Sequence, residues 1–126
     1  MTRVSRALAG MAAGICMWAA GNAPGQAAGA IAVGACAAYG YAFDYRSADA
    51  ARTAAEGKCI GSGCKVVLML RHSCGAFAID GRRPCGPHGY ASAPRLGEAE
   101  NVALKSCYKY GGKDCLIRAF ACDVKG

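Results

Sequence analysis

The sequence predicts an α+β fold: one small domain, built by duplicating a strand–strand–helix–strand unit and stapled by disulfides. Three observations carry this. The chain is only 126 residues long, room for one domain and too little for a multidomain enzyme. It repeats itself, at about 46 to 48 residues per copy. It holds nine cysteines, close to the density that marks a stapled exported chain. Apolar residues make up 54%, yet there are only three Phe and one Trp, so the bulky core is thin and staples matter more.

The first element read is an export signal over residues 1–27. Arg3 and Arg6 precede the uncharged run Ala-Leu-Ala-Gly-Met-Ala-Ala-Gly-Ile-Cys-Met-Trp-Ala-Ala, and small residues and breakers follow through Ala27 and Ala28. That order is a secretory signal peptide. The apolar run stops at Gly21, short of the roughly 20 residues a span needs, so no membrane span is expected after cleavage. Its loss removes Cys16 and leaves eight cysteines, an even number that favours disulfides in an exported chain.

The mature domain, residues 28–126, divides into copy one, 29–74, and copy two, 75–122. Gly29-Ala30-Ile31-Ala32-Val33 recurs as Gly75-Ala76-Phe77-Ala78-Ile79, each a short first strand rich in residues that suit a half-buried pleat. Tyr39-Gly40-Tyr41-Ala42 recurs as His88-Gly89-Tyr90-Ala91. In this second strand Tyr39, Tyr41, Phe43 and Tyr45 alternate with small or polar residues, which puts the four rings on one face. Packing of those rings against a helix lined with alanine is the favoured reading, and a ring-stacking surface is its rival.

A helix begins near Ser47-Ala48-Asp49, with Ala51, Ala54, Ala55 and Cys59 at helical spacing. Its counterpart carries Ala99, Val102, Ala103 and Cys107, with Glu98 and Glu100 near the positive end of the helix dipole. Glycines break both helices. The third strands, 65–72 and 116–122, are nearly continuous apolar runs and are expected at the centre of a sheet. Two copies are too few for a solenoid. They are expected to close into one six-stranded, mainly antiparallel sheet with both helices on one face, related by a pseudo-two-fold axis.

The cysteines fall at matched positions. Cys59 and Cys64 bracket a helix-to-strand turn, as do Cys107 and Cys115, and these pairs are favoured. The rest pair either as Cys36–Cys85 and Cys74–Cys122 or as Cys36–Cys74 and Cys85–Cys122. Zinc knuckles use tighter spacings, and the compartment favours oxidation, so neither metal nor cofactor is expected.

These same residues carry a resemblance. The run Gly-Ala-Ile-Ala, Tyr-Gly-Tyr-Ala-Phe-Asp-Tyr, Ser-Ala-Asp-Ala-Ala-Arg-Thr-Ala-Ala-Glu-Gly-Lys-Cys and Gly-Cys-Lys-Val-Val-Leu-Met-Leu resembles the bacterial exported family called domain of unknown function 4189. The second half, with Asp-Cys-Leu-Ile-Arg-Ala-Phe-Ala-Cys, is similar to that family's second half. The resemblance spans roughly residues 29–122. It implies the fold and export, and it implies no activity. The chain departs from the family pattern at Cys36 and Cys85, an additional pair, and in lacking Trp on its strands.

The candidate chemistry is sparse. His72 lies near Cys74 and His88 near Cys85, but bridged cysteines supply no thiolate. The acids, Asp44, Asp49, Glu56, Asp80, Glu98, Glu100, Asp114 and Asp123, form no motif for paired carboxylate catalysis. The formal charge is +7, falling to about +5 after cleavage, without the basic clusters that nucleic acid demands. Arg82, Arg83 and Pro84 stand in a loop longer than its counterpart at Gly34-Ala35, so this is the candidate binding loop. The expected function is therefore an exported, monomeric, non-enzymatic binding module for a protein or an anionic envelope component. An inhibitor or immunity-type protein against an envelope enzyme is the specific form. A weak envelope hydrolase and a purely structural envelope or stress protein are the alternatives.

Overall fold

A computed structural model describes residues 27–124. The export segment expected over residues 1–27 lies outside the described residues, Ala27 apart. The first unit runs β1 (Ala28–Val33), β2 (Tyr39–Tyr45), α1 (Ala48–Gly57) and β3 (Lys65–Leu70). The second runs β4 (Ser73–Asp80), β5 (His88–Ala93), α2 (Leu96–Lys109) and β6 (Cys115–Asp123). The α+β class, the repeated unit, the two helices and the six antiparallel strands all follow the sequence pattern.

The strands are arranged differently from the single layer expected. They form two three-stranded sheets, ordered β2-β1-β3 and β5-β4-β6. The central strands are β1 and β4, while β3 and β6 lie at edges. The cause is in the first strands. In β1, Ala28, Ala30 and Ala32 pack under α1, while Ile31 and Val33 face the other way, toward the second sheet. In β4, Cys74, Ala76 and Ala78 pack under α2, while Phe77 and Ile79 face the first sheet. A strand buried on both faces takes the middle of a sheet, and small residues on the helix face let the helix approach closely. The result is four layers, helix on sheet on sheet on helix, with a helix on each outer face instead of two on one.

Helix α1 starts as its sequence dictates, and both helices seat on alanines. The Ser47 hydroxyl accepts from the Ala50 backbone N–H at 3.1 Å and caps α1. Ala51 and Ala55 are buried beneath it, and Glu56 reaches out to accept from the Val66 N–H at 3.1 Å. In α2, Ala99, Ala103 and Cys107 form the buried stripe. Val102, expected in that stripe, is 51% exposed because the seat follows the i, i+4, i+8 line and leaves Val102 outside it.

Among the described residues four disulfides close the structure: Cys36–Cys85, Cys59–Cys64, Cys74–Cys122 and Cys107–Cys115. This is the first of the two arrangements weighed from sequence. Cys59–Cys64 and Cys107–Cys115 each tie a helix end to the third strand of its unit. Because β4 begins at Ser73, Cys74 belongs to the second unit, and Cys74 faces Cys122 directly across β4 and β6. That bridge is therefore a staple within one sheet. Only Cys36–Cys85 joins one unit to the other.

Candidate functional site

Strand β2 presents two unlike faces. Gly40 and Ala42 turn toward α1, where a Cβ on Gly40 would lie 2.0 Å from the Ala55 carbonyl oxygen. Tyr39, Tyr41 and Phe43 therefore turn away from the helix, which reverses the packing favoured from sequence. Large rings cannot enter a seam that has no room for a methyl group at Gly40 and only for one at Ala42. The fourth ring, Tyr45, leaves the row. The register of β2 shifts by one residue between its pairings with Ala28 and Ala30, and Asp44 takes a left-handed conformation, φ 60°. This bulge carries Tyr45 back to the α1 side, where it packs with the alanine cluster.

The three remaining rings form a ladder. Tyr39 and Tyr41 are stacked with centroids 6.4 Å apart, and Tyr41 and Phe43 repeat the spacing at 6.4 Å. Tyr41 is 38% and Phe43 50% exposed, far more than a core position would be. Opposite stands the outer edge of β6. Between them runs a groove of about 590 Å³, lined by the ladder, by residues 117–122 and by Glu100 of α2. Phe120, 53% exposed, adds a fourth ring to its rim.

Arg118 supplies the charge. The β6 register slips beside it, between Phe77 and Ala78 of β4. Its Nε donates to the Ala37 carbonyl at 3.3 Å, and its guanidinium lies 4.8 Å from the centre of the Tyr39 ring. Among the described residues the ion pairs belong to Arg82 and Arg83, and no carboxylate pairs with Arg118.

The candidate loop lies in the β4–β5 connection and is anchored at its base. Arg82 Nε sits 2.5 Å from Asp114, and Arg83 reaches both Asp80, at 3.7 Å, and the Gly111 carbonyl, at 3.3 Å. Pro84 leads into Cys85, whose disulfide pins the loop to the β1–β2 turn. The Arg82 side chain nevertheless remains 82% exposed. Asp80 organises this corner. It is buried, and it accepts from the backbone N–H groups of Arg82 at 2.9 Å and Lys113 at 3.3 Å.

The Arg82 N–H, helped by those of Lys113 and Arg83 and by the Arg83 charge, holds the Asp80 carboxyl below its ordinary range, against the opposing effect of burial. A carboxyl so lowered binds fewer protons folded than unfolded. Its stabilisation is present above about pH 4 and is lost as pH falls through the folded-state value. Urea unfolding at pH 7 and pH 3 checks this: Asp80→Asn is expected to flatten the acid-side loss of stability. An equally steep loss in the variant would show that other groups carry it.

The remaining candidates are placed apart. His72 sits at the corner between β3 and β4 with φ 48°, and His88 opens β5, edge-on to Phe77 at 6.1 Å. Cys74 and Cys85, the thiols beside them, are both bridged. Asp123 is fully buried, and its Oδ1 accepts from the Asp44 N–H at 3.1 Å, supporting the bulge that turns Tyr45. Arg118 and Phe120 escaped the sequence reading as site residues. A signal existed in the repeat: their counterparts in copy one, Val67 and Met69, are aliphatic.

Among the described residues no helix is long and apolar enough to cross a membrane. The profile of the family described as Domain of unknown function (DUF4189) matches residues 28–122. No curated protein and no solved structure matches the chain.

Proposed function

We propose that this chain, which belongs to the DUF4189 family, is an exported binding module that grips a protein partner in the β2/β6 groove without catalysis. One observation carries the reading. The duplication repeats the small residues of the second strand, Gly40 and Ala42 becoming Gly89 and Ala91, but not the ladder: Tyr39, Tyr41 and Phe43 become His88, Tyr90 and Ser92. The fold needs the small face, since both copies keep it. It does not need three adjacent aromatic rings half in water, because the second unit stands without them. Exposed contiguous rings rimmed by charge are the composition of a protein-binding surface.

The eight bridged cysteines support the non-enzymatic part, since none offers a thiolate. Export is supported by the same bridges, which persist in oxidising compartments. An inhibitor of an envelope enzyme remains the specific form of this reading. The Arg82–Arg83–Pro84 loop is the second candidate surface, favoured by the exposure of Arg82 and by its disulfide anchor.

Capture from envelope extract separates the two. Tyr41→Ala/Phe43→Ala is expected to weaken capture of the main bound protein about 30-fold or more, as loss of central aromatic anchors does. Arg82→Ala is expected to leave thermal stability nearly unchanged, since its ion pair with Asp114 is exposed and such pairs contribute little, and to act only on salt dependence. Full capture by the ring variant would remove the groove from the function. Turnover of a cell-wall substrate by the purified protein would overturn the non-enzymatic reading.

A further inference from the structure

We propose that the free edge of β6 is a strand-addition site, taking an extended segment of another protein with alternating apolar residues and one acidic residue that meets Arg118. This rests on the groove reading and specifies the conformation and chemistry of the ligand. Among the described residues β6 pairs with β4 alone, so its outer edge keeps a row of unpaired N–H and C=O groups. That edge is the groove wall: six consecutive residues, 117–122, line it. Six residues of strand span about 20 Å, enough to register a short peptide.

The surroundings fit the alternation of a strand. Side chains on one face of an added strand would meet Tyr41 and Phe43, and those on the other face Phe120 and Glu100. The Arg118 guanidinium is held by Ala37 and Tyr39, which leaves its terminal nitrogens for a carboxylate in fork geometry. Cys74–Cys122 fastens the far end of β6 to β4, so the edge is ordered before binding. The chain's own excess of cations, 15 − 2 = 13 against 8 acids once Arg3 and Arg6 leave with the export segment, favours an acidic partner over a second copy.

The test uses the disulfide-intact protein and a library of displayed random dodecapeptides. Enriched peptides are expected to alternate apolar residues and to carry Asp or Glu. Arg118→Gln should weaken the best synthetic peptide about tenfold. N-methylation should abolish binding at backbone amides of one parity and spare the other, and amides of residues 117–122 should gain protection from hydrogen exchange. An unproductive selection, or tolerance of N-methylation at every position, would overturn strand addition. Sedimentation showing a dimer that blocks peptide at this edge would assign it to a second copy. Groove ligands lost in Tyr41→Ala/Phe43→Ala without protection of β6 would overturn strand addition and leave the groove reading standing. Ligands unaffected by that ring variant would remove the groove reading itself.

Discussion

Removing the Cys36–Cys85 bridge by a double serine substitution is expected to lower stability by about 4 kcal/mol. The bridge spans 49 residues of sequence, and a cross-link of that length strips much of the closure entropy from the unfolded chain. In a domain of this size the loss corresponds to roughly 15 to 30 °C in Tm. The comparison that gives the number meaning is Cys59–Cys64, which spans only five residues and should be worth about 2 kcal/mol in the same accounting. Architecture adds a second reason for the difference. Of the four bridges, Cys36–Cys85 alone joins one unit to the other, whereas Cys59–Cys64 reinforces a helix end already seated on its own sheet. Between the sheets the apolar contact rests on a few large side chains, Ile31, Leu70, Phe77 and Ile79, among alanines. Thermal unfolding of the two double serine variants under non-reducing conditions decides the matter. Equal losses would show that loop length does not govern the stabilisation.

The repeat, the element order and the two helix-end bridges, Cys59–Cys64 and Cys107–Cys115, are legible in the sequence because each rests on local or repeated signals, whereas Cys36, Cys74, Cys85 and Cys122 admit two pairings that only the structure separates. Ser47-Ala48-Asp49 reads as a helix start, and cysteines that bracket a helix-to-strand turn in both copies suggest a bridge across each. Layer arrangement was not legible in the same way. The first strand, Gly-Ala-Ile-Ala-Val, reads as half-buried because alanine passes for a neutral residue. Its alanines are in fact fully buried, since the helix lies directly on them. The apolar runs of β3 and β6 suggested central strands, but their side chains meet the opposing sheet from the edges. The aromatic ladder is legible as a row of residues, but of the two readings of that row the structure supports the exposed one for Tyr41 and Phe43 rather than the favoured packing under the helix. Size complementarity between rings and alanines favours the packed face, but Gly40 and Ala42 already fill that seam. Arg118 becomes a site residue only once two strands distant in sequence, β2 and β6, stand side by side.

That seam sets the last expected result. Gly40→Ala and Gly89→Ala should each destabilise by about 3 kcal/mol, the upper part of the range for overpacking. A Cβ on Gly40 would lie 2.0 Å from the Ala55 carbonyl oxygen, and one on Gly89 would lie 2.5 Å from the Ala103 carbonyl oxygen. Both obstacles are helix backbone, so relief requires the whole helix to lift from its sheet and to uncover the alanines beneath. Neither glycine has a left-handed backbone, so the cost is one of space rather than conformation. The two seams belong to separate alanine clusters on opposite outer faces, so the losses should add in the double variant, to roughly 6 kcal/mol. That is a large share of what a small domain possesses. Gly97, in the first turn of α2, provides the control: nothing lies within 4 Å of its added Cβ. Gly97→Ala should leave stability equal or raise it by up to about 1 kcal/mol, through the lower entropy of its unfolded chain and the better helix propensity of alanine. Urea midpoints at constant m-value measure all four variants on one scale. If Gly40→Ala behaved like Gly97→Ala, the helix would be free to shift, and the seam would not be what turns the aromatic ladder outward.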